Sequence, residues 1–200
     1  MELSDRSGVQ QDQELIERIR NGDADAFEQL ARREAPKLMR LALKLCQRRE
    51  DAEDLVQETL LKSITTLRRF DGRAQLSTYL FRALSNQWKN RLRSRSRSRI
   101  VDWFRGQPRG DDRAAPSIEP REVDPAPDAE QQLVAGERAL EIRAAIETLE
   151  PHRRLTLLLR EVEGLSYEEI AMATDVAVGT VRSRLARARA DLKQRLGGEA

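Results

Sequence analysis

A chain of 200 residues suffices for one medium domain or two small ones, and 4% aromatic with 35% charged residues favours small helical units over one large aromatic core. A single cysteine excludes an intramolecular disulfide, and a single histidine leaves no zinc site and no Ser-His or Cys-His triad to assemble, so no metal, cofactor or catalytic group is expected. The formal charge of +2 hides blocks of opposite sign: eight acids against three bases in 1–30, ten bases against Asp71 alone in 65–99, and seven acids against two arginines in 111–130. This is the pattern of a nucleic-acid contact beside acidic, solvated segments.

The opening MELSDRSGVQQDQ has none of the features of a signal peptide, and no apolar run in the chain approaches membrane-spanning length. No membrane insertion and a cytoplasmic location are expected. A short helix is predicted over 12–20, ended by Asn21-Gly22, with Asp23 as N-cap of the next. Residues 24–47 read as helical with a break near Pro36. Cys46, in the apolar run LALKLC, reads as a small buried side chain.

In DAEDLVQETLLKSITTL, the residues Ala52, Leu55, Val56, Thr59, Leu60, Ser63, Ile64 and Leu67 repeat at helical spacing for four turns. Asp51 is the expected cap, supported by Asp54. The opposite face carries Asp54, Gln57, Glu58 and Leu61. It suits either solvent or a basic protein partner.

A turn over Phe70-Asp71-Gly72-Arg73 leads into a helix from Leu76 to Arg93 or beyond. Its inner stripe is Leu76, Leu80, Ala83 and Leu84. Its second face, Thr78, Arg82, Ser85, Asn86, Lys89 and Arg93, is polar, basic and free of acids, which suits nucleic acid. Tyr79, Phe81 and Trp88 are placed either for stacking on bases or for the core. The stretch RLRSRSRSR, residues 91–99, puts five arginines at alternate positions. In a helix they spread over two sides, so it reads as a sequence-independent phosphate grip and not a reading head.

Five of the seven prolines fall within 108–127. The stretch from about 100 to 130 therefore reads as a flexible linker, with Trp103 and Phe104 its only large apolar side chains. A second helical unit follows. AGERALEIRAAIETL stops at Pro151, and HRRLTLLLREVEG ends at Gly164. Ser166 and Glu169 form a capping box for a short helix. A turn around Thr174-Asp175-Val176 joins it to a longer basic helix from Val178 to Leu196. Short helix, turn and basic helix make a helix-turn-helix pattern. Val181, Leu185, Ala188 and Leu192 should face inward, leaving Thr180, Arg182, Ser183, Arg187 and Arg189 for a groove or for solvent.

The stretches DAEDLVQETLLKSITTLRRFDGRAQLSTYLFRALSNQWKNRLR and LREVEGLSYEEIAMATDVAVGTVRSRLARARADLKQRL resemble regions two and four of the extracytoplasmic-function (ECF) group of bacterial sigma factors. The resemblance implies an all-α protein of two small helical domains joined by a flexible linker: region two over 1–99, linker over 100–130, region four over 131–200. It implies a promoter-specificity subunit without catalytic chemistry of its own. Asp54, Gln57, Glu58 and Leu61 would bind the beta-prime clamp of core RNA polymerase. Phe70, Asp71, Arg73, Gln75, Thr78, Tyr79, Arg82, Asn86, Lys89 and Arg93 would take the minus-ten element of promoter DNA. Thr180, Arg182, Ser183, Ala186 and Arg187 would enter the major groove at the minus-thirty-five element. The beta flap and an anti-sigma factor, the latter often at the inner membrane, are the other implied partners. This chain has Tyr79 and Phe81 where members often carry Trp and Tyr, and Asp175 and Ala177 where their helix-turn-helix turn often has Gly and then Pro; Asp tolerates the left-handed geometry such a turn implies better than most residues. The competing readings are a stand-alone regulator with a LuxR-like helix-turn-helix, which accounts for 166–196 alone, and an RNA-binding protein, which accounts for 91–99 alone.

Overall fold

The structure, a computed structural model, describes the backbone of residues 2–46, 48–67, 70, 72, 75–104 and 129–197, and side chains over 11–46, 48–67, 70, 72, 75–94 and 138–197. Eight helices and no strand occur among these residues: α1 (Glu2–Arg20), α2 (Ala24–Leu45), α3 (Arg49–Thr66), α4 (Leu76–Phe104), α5 (Ala129–Glu147), α6 (Pro151–Glu161), α7 (Tyr167–Thr174) and α8 (Val178–Arg195). None is long and apolar enough to cross a membrane.

The local signals act as expected at several ends. Asp23 caps α2 by accepting from the amide of Ala26 at 3.0 Å. Ser166 and Glu169 form the reciprocal box at the start of α7. Asp175 ends α7 in the left-handed region at φ 60°, ψ 53°, the only non-glycine residue with positive φ among those described.

Elsewhere the helices depart from expectation. α2 runs unbroken through Pro36. Pro36 and Arg32 both lie on the exposed side, so water can take the Arg32 carbonyl that the missing amide leaves free. Leu30, Leu38 and Leu41 are buried on the far side and keep the helix packed on both sides of Pro36. α3 starts at Arg49, and its N-cap is Arg48 without a side-chain acceptor, so Asp51 is a first-turn acid and not the cap. α1 begins ten residues before the predicted helix, and α4 continues through Phe104. Neither extension carries an apolar stripe, so spacing could not flag it. Of the linker expected over 100–130, residues 100–104 are the end of α4 and 129–130 the start of α5, while 105–128 lie outside the described residues, as do the side chains of Trp103 and Phe104. Cys46 is half-buried and packs against the core.

The inward positions of α3 close the first half. Ala52, Leu55, Val56, Thr59, Ser63 and Leu67 are buried, and Thr59 returns its hydroxyl to the Leu55 carbonyl at 2.7 Å. Leu76, Leu80 and Leu84 of α4 meet them. In the second half, Leu155, Leu158 and Leu159 of α6 pack with Ile170 of α7 and with Val181, Leu185 and Ala188 of α8. The two sets join in one apolar cluster, with α7 laid across α4 and α6 touching α2. Removing the capping box by Ser166→Ala should lower unfolding free energy by about 1 kcal/mol, read as a shifted urea midpoint at unchanged slope.

Candidate nucleic-acid interface

Three surfaces hold the residues singled out in the sequence. On α3, Asp54, Gln57 and Leu61 stand in solvent on one face, and Leu61 is 65% exposed. Glu58 is different. It accepts from Lys62 Nζ at 2.7 Å and from Arg91 Nη2 at 3.0 Å, and these donors hold its carboxyl below the usual carboxylate range. Arg91 also donates to the Asp51 carbonyl at 3.0 Å. The first arginine of RLRSRSRSR is thus spent on tying α4 to α3.

The second surface is the basic face of α4. Thr78, Arg82, Ser85, Asn86, Lys89 and Arg93 fall within an arc of roughly 100° at helical spacing. Asn86 and Arg93 are exposed, but Thr78 is 2% exposed and Ser85 fully buried. Lys89 is half-buried, donates to the Thr174 carbonyl at 3.1 Å, and is pushed down from its ordinary value by burial. Arg82 pairs with Asp175 at 3.3 Å, and Thr78 reaches Glu169 at 3.4 Å. Thr78, Ser85 and Lys89 are therefore turned inward or onto α7, whereas Arg82, Asn86 and Arg93 stay exposed.

At the entrance to α4, Phe70 is buried and meets Tyr79 edge-on, with ring centroids 5.1 Å apart at 76°. The guanidinium of Arg20 donates to the Phe70 carbonyl and ties this turn to α1. Gln75 is exposed. Asp71 and Arg73 lie outside the described residues. Phe81 and Trp88, at 3% and 5% exposure, are core residues, so only Tyr79 of the three aromatics retains a partly open ring.

The third surface is α8. Val181, Leu185 and Ala188 are buried and Leu192 half-buried, as the spacing predicts. Arg182, Ser183, Ala186 and Arg187 are exposed on the opposite side, and Thr180 is half-buried at its edge. The helix starts at Ala177 without a side-chain cap, and a Cβ placed on Gly179 would meet nothing within 4 Å. Uncapped first-turn amides in open space suit an incoming phosphate. Arg189 is not part of this face, because it pairs with Glu161 of α6 at 2.8 Å.

Sequence spacing gave no sign of the residues that hold the two halves together. Arg40 of α2 pairs with Glu163 at 3.0 Å. The Glu163 side chain is 3% exposed, and burial pushes its carboxyl up. Arg154 of α6 is buried and donates to the Lys44 carbonyl at the end of α2. Three buried side-chain polar atoms among the described residues lack a partner: Ser85 Oγ, Arg154 Nε and Glu163 Oε1. Each such atom costs about 1–3 kcal/mol when nothing replaces its water.

With the geometry in place, comparisons with known proteins align with it. Family models described as Sigma-70 region 2 and Sigma-70 region 4 match residues 30–98 and 139–192. The RNA polymerase sigma-H factor of Pseudomonas aeruginosa is 34% identical over 188 residues, covering 90% of this chain and 91% of that protein. The ECF RNA polymerase sigma-E factor of Haemophilus influenzae is 33% identical over 192 residues, covering 92% and 95%. Among solved structures, the sigma factor RpoE in complex with the anti-sigma factor NepR from Bartonella quintana has a TM-score of 0.63 at 29% identity, over 87% of this chain and 98% of that one. CnrH in complex with the cytosolic domain of CnrY has a TM-score of 0.62 at 22% identity, over 93% and 97%, a likeness of fold.

Because Arg91 bonds within the protein, Arg91→Ala should lower stability by roughly 1 kcal/mol, given its partly screened setting. It should leave the slope of log affinity for duplex DNA against log salt unchanged. With Arg91 removed from the count, the grip at 91–99 can contribute a slope of about −3.6 at most. A slope that becomes shallower in Arg91→Ala would return that arginine to the phosphates.

Proposed function

The chain belongs to the extracytoplasmic-function group of RNA polymerase sigma factors, and we propose that it docks on core polymerase through α3 and reads a two-part promoter through α4 and α8. It directs promoter recognition, DNA melting and transcription initiation. The observation that carries the reading is the presence of two separate acid-free DNA faces in one chain. One is the outward side of α8, with Arg182, Ser183, Ala186 and Arg187; the other is the polar side of α4. A stand-alone helix-turn-helix regulator has a use for the first only.

In this division of labour, residues 1–99 form the unit for polymerase and the minus-ten element. Residues 131–200 form the unit for the minus-thirty-five element and the beta flap, and 100–130 connect them. Asp54, Gln57 and Leu61 are the exposed part of the clamp contact. Glu58 sets the α3–α4 angle from behind, through Arg91. Gln75, Thr78, Tyr79, Arg82, Asn86, Lys89 and Arg93 take the minus-ten strand, with Asp71 and Arg73 in the preceding turn. Phe70 supports Tyr79 from the core side. Catalysis belongs to the polymerase, and the protein works in the cytoplasm.

An anti-sigma factor is the expected inhibitor, and it has a seat of fitting chemistry. A groove of about 640 Å³ between α2, α5 and α6 is lined by Leu43, Leu140, Ile142, Ile146 and Leu158. Arg40, Lys44 and Arg143 stand at its rim against Glu147. It suits an amphipathic helix with acidic flanks, and an anti-sigma factor tethered at the inner membrane could present one.

Run-off transcription with purified core polymerase tests the main reading. The wild-type chain should confer initiation at its promoter, and Asp54→Ala with Gln57→Ala should weaken core association at least tenfold while duplex binding at the upstream element stays intact. Unchanged core affinity would remove α3 from the clamp. Separately, Arg182→Ala should lose roughly 1–3 kcal/mol of discrimination between promoter and scrambled upstream elements. Equal weakening on both sequences would make Arg182 a phosphate contact.

A further inference from the structure

Arg189 stands almost in line with Arg182 on α8. Seven residues of helix turn a side chain by about 700°, so the two lie within roughly 20° of one another and two turns apart. Arg182 faces outward, whereas Arg189 turns back to Glu161 at the end of α6 and bonds it at 2.8 Å. We propose that Glu161 is a positioning residue for promoter specificity: it holds Arg189 off the phosphates, so that α8 depends on its contacts with bases and not on the backbone of any duplex. The inference rests on the reading of α8 as the helix that enters the upstream element.

The restraint acts on both sides of α8. Arg189 and Asp191 are two positions apart and therefore point to opposite flanks. α6 meets each with the opposite charge, Glu161 for Arg189 and Arg153 for Asp191, the latter at 2.7 Å. The flanks of a helix lying in the major groove face the two phosphate walls. Both flanks are thus neutralised as internal pairs, while Arg182 and Arg187 on the outward face stay exposed. Glu161 does not hold Arg189 alone. Tyr167 also meets the Arg189 guanidinium, and Arg160 lies over the Tyr167 ring at 5.3 Å while donating to the Leu165 carbonyl at 2.7 Å.

Stability is a poor account of this pair. Glu161 and Arg189 are each 53% exposed, and a pair so open adds little. Val181, Leu185 and Ala188, all buried, already seat α8 on its core. What the pair changes is the charge offered to DNA. A freed arginine would add one phosphate contact on every sequence, and one contact steepens the slope of log affinity against log salt by about 0.9. On a preferred site, base contacts by Arg182 and Arg187 fix where α8 sits. On any other duplex nothing fixes it, and α8 can settle wherever Arg189 reaches a phosphate. Release therefore favours wrong sequences over right ones, and specificity is the difference between the two affinities.

The test uses the full chain and fluorescence anisotropy on two labelled duplexes: a random-sequence pool, and the sequence that the wild-type chain enriches from that pool. Glu161→Gln should bind the random pool at least threefold tighter than wild type, with a salt slope steeper by about 0.9, and should gain less on the enriched duplex. Glu28→Gln removes an equal charge from the Arg32 pair on α2 and should match wild type on both. Arg189→Ala should leave the wild-type slope unchanged, and Glu161→Gln combined with Arg189→Ala should lose the gain of Glu161→Gln alone. An unchanged slope in Glu161→Gln, equal gains on the two duplexes, or a gain that survives the loss of Arg189 would overturn the proposal. A wild-type chain that enriches no sequence would remove the α8 reading itself, whereas enrichment with an unchanged slope in Glu161→Gln would overturn only the role of Glu161.

Discussion

The Arg40–Glu163 pair crosses from α2 to the turn after α6, and it bonds only one oxygen of a carboxylate whose side chain is 3% exposed. Burying a charge so deeply is costly, and a single partner offsets that cost only in part. Gly164 follows at φ 71°, so the direction in which the chain turns into α7 is set from this point. Ser166 then starts α7 through its capping box. The turn that leads into α7 is thus anchored by a pair that is only half satisfied.

The end of α7 explains why basic residues of α4 approach it. Thr174 is the last residue of α7, and its carbonyl is one of the four that every helix leaves without an intrahelical partner. The C-terminus of a helix carries partial negative charge and attracts cations. Lys89 and Arg82 approach that end, and the Asp175 carboxylate adds a full charge to the partial one. The left-handed residue that shapes the helix-turn-helix is therefore also the residue that pairs with Arg82 of α4. A glycine at 175 would serve the turn and leave Arg82 without that partner.

Local chemistry was legible in the sequence and tertiary chemistry was not. The stripe on α3, the Asp23 cap, the Ser166 box and the inner face of α8 all rest on residues a few positions apart. Spacing finds such features. It missed the continuity of α2 through Pro36 because the fate of the Arg32 carbonyl depends on which side meets water. It left Phe81 and Trp88 undecided between stacking and core, and the structure places both in the core because α4 is packed on more than one side. The seam joins 40 with 163, 78 with 169, 82 with 175 and 89 with 174. No pattern in a single sequence announces contacts at such separations.

The same limit applies to counting cations. Along α4, arginine and lysine side chains of equal charge serve different ends. Arg91 braces α3, Lys89 and Arg82 face α7, and Arg93 is open to solvent. The side chains of Arg95, Arg97 and Arg99 lie outside the described residues. A basic run therefore fixes a long-range field, which is common to all its members. The role of each member is fixed by the acceptor it finds first. The acceptors nearest Lys89 and Arg82 are protein oxygens, whereas Arg93 on α4 and Arg182 and Arg187 on α8 face outward.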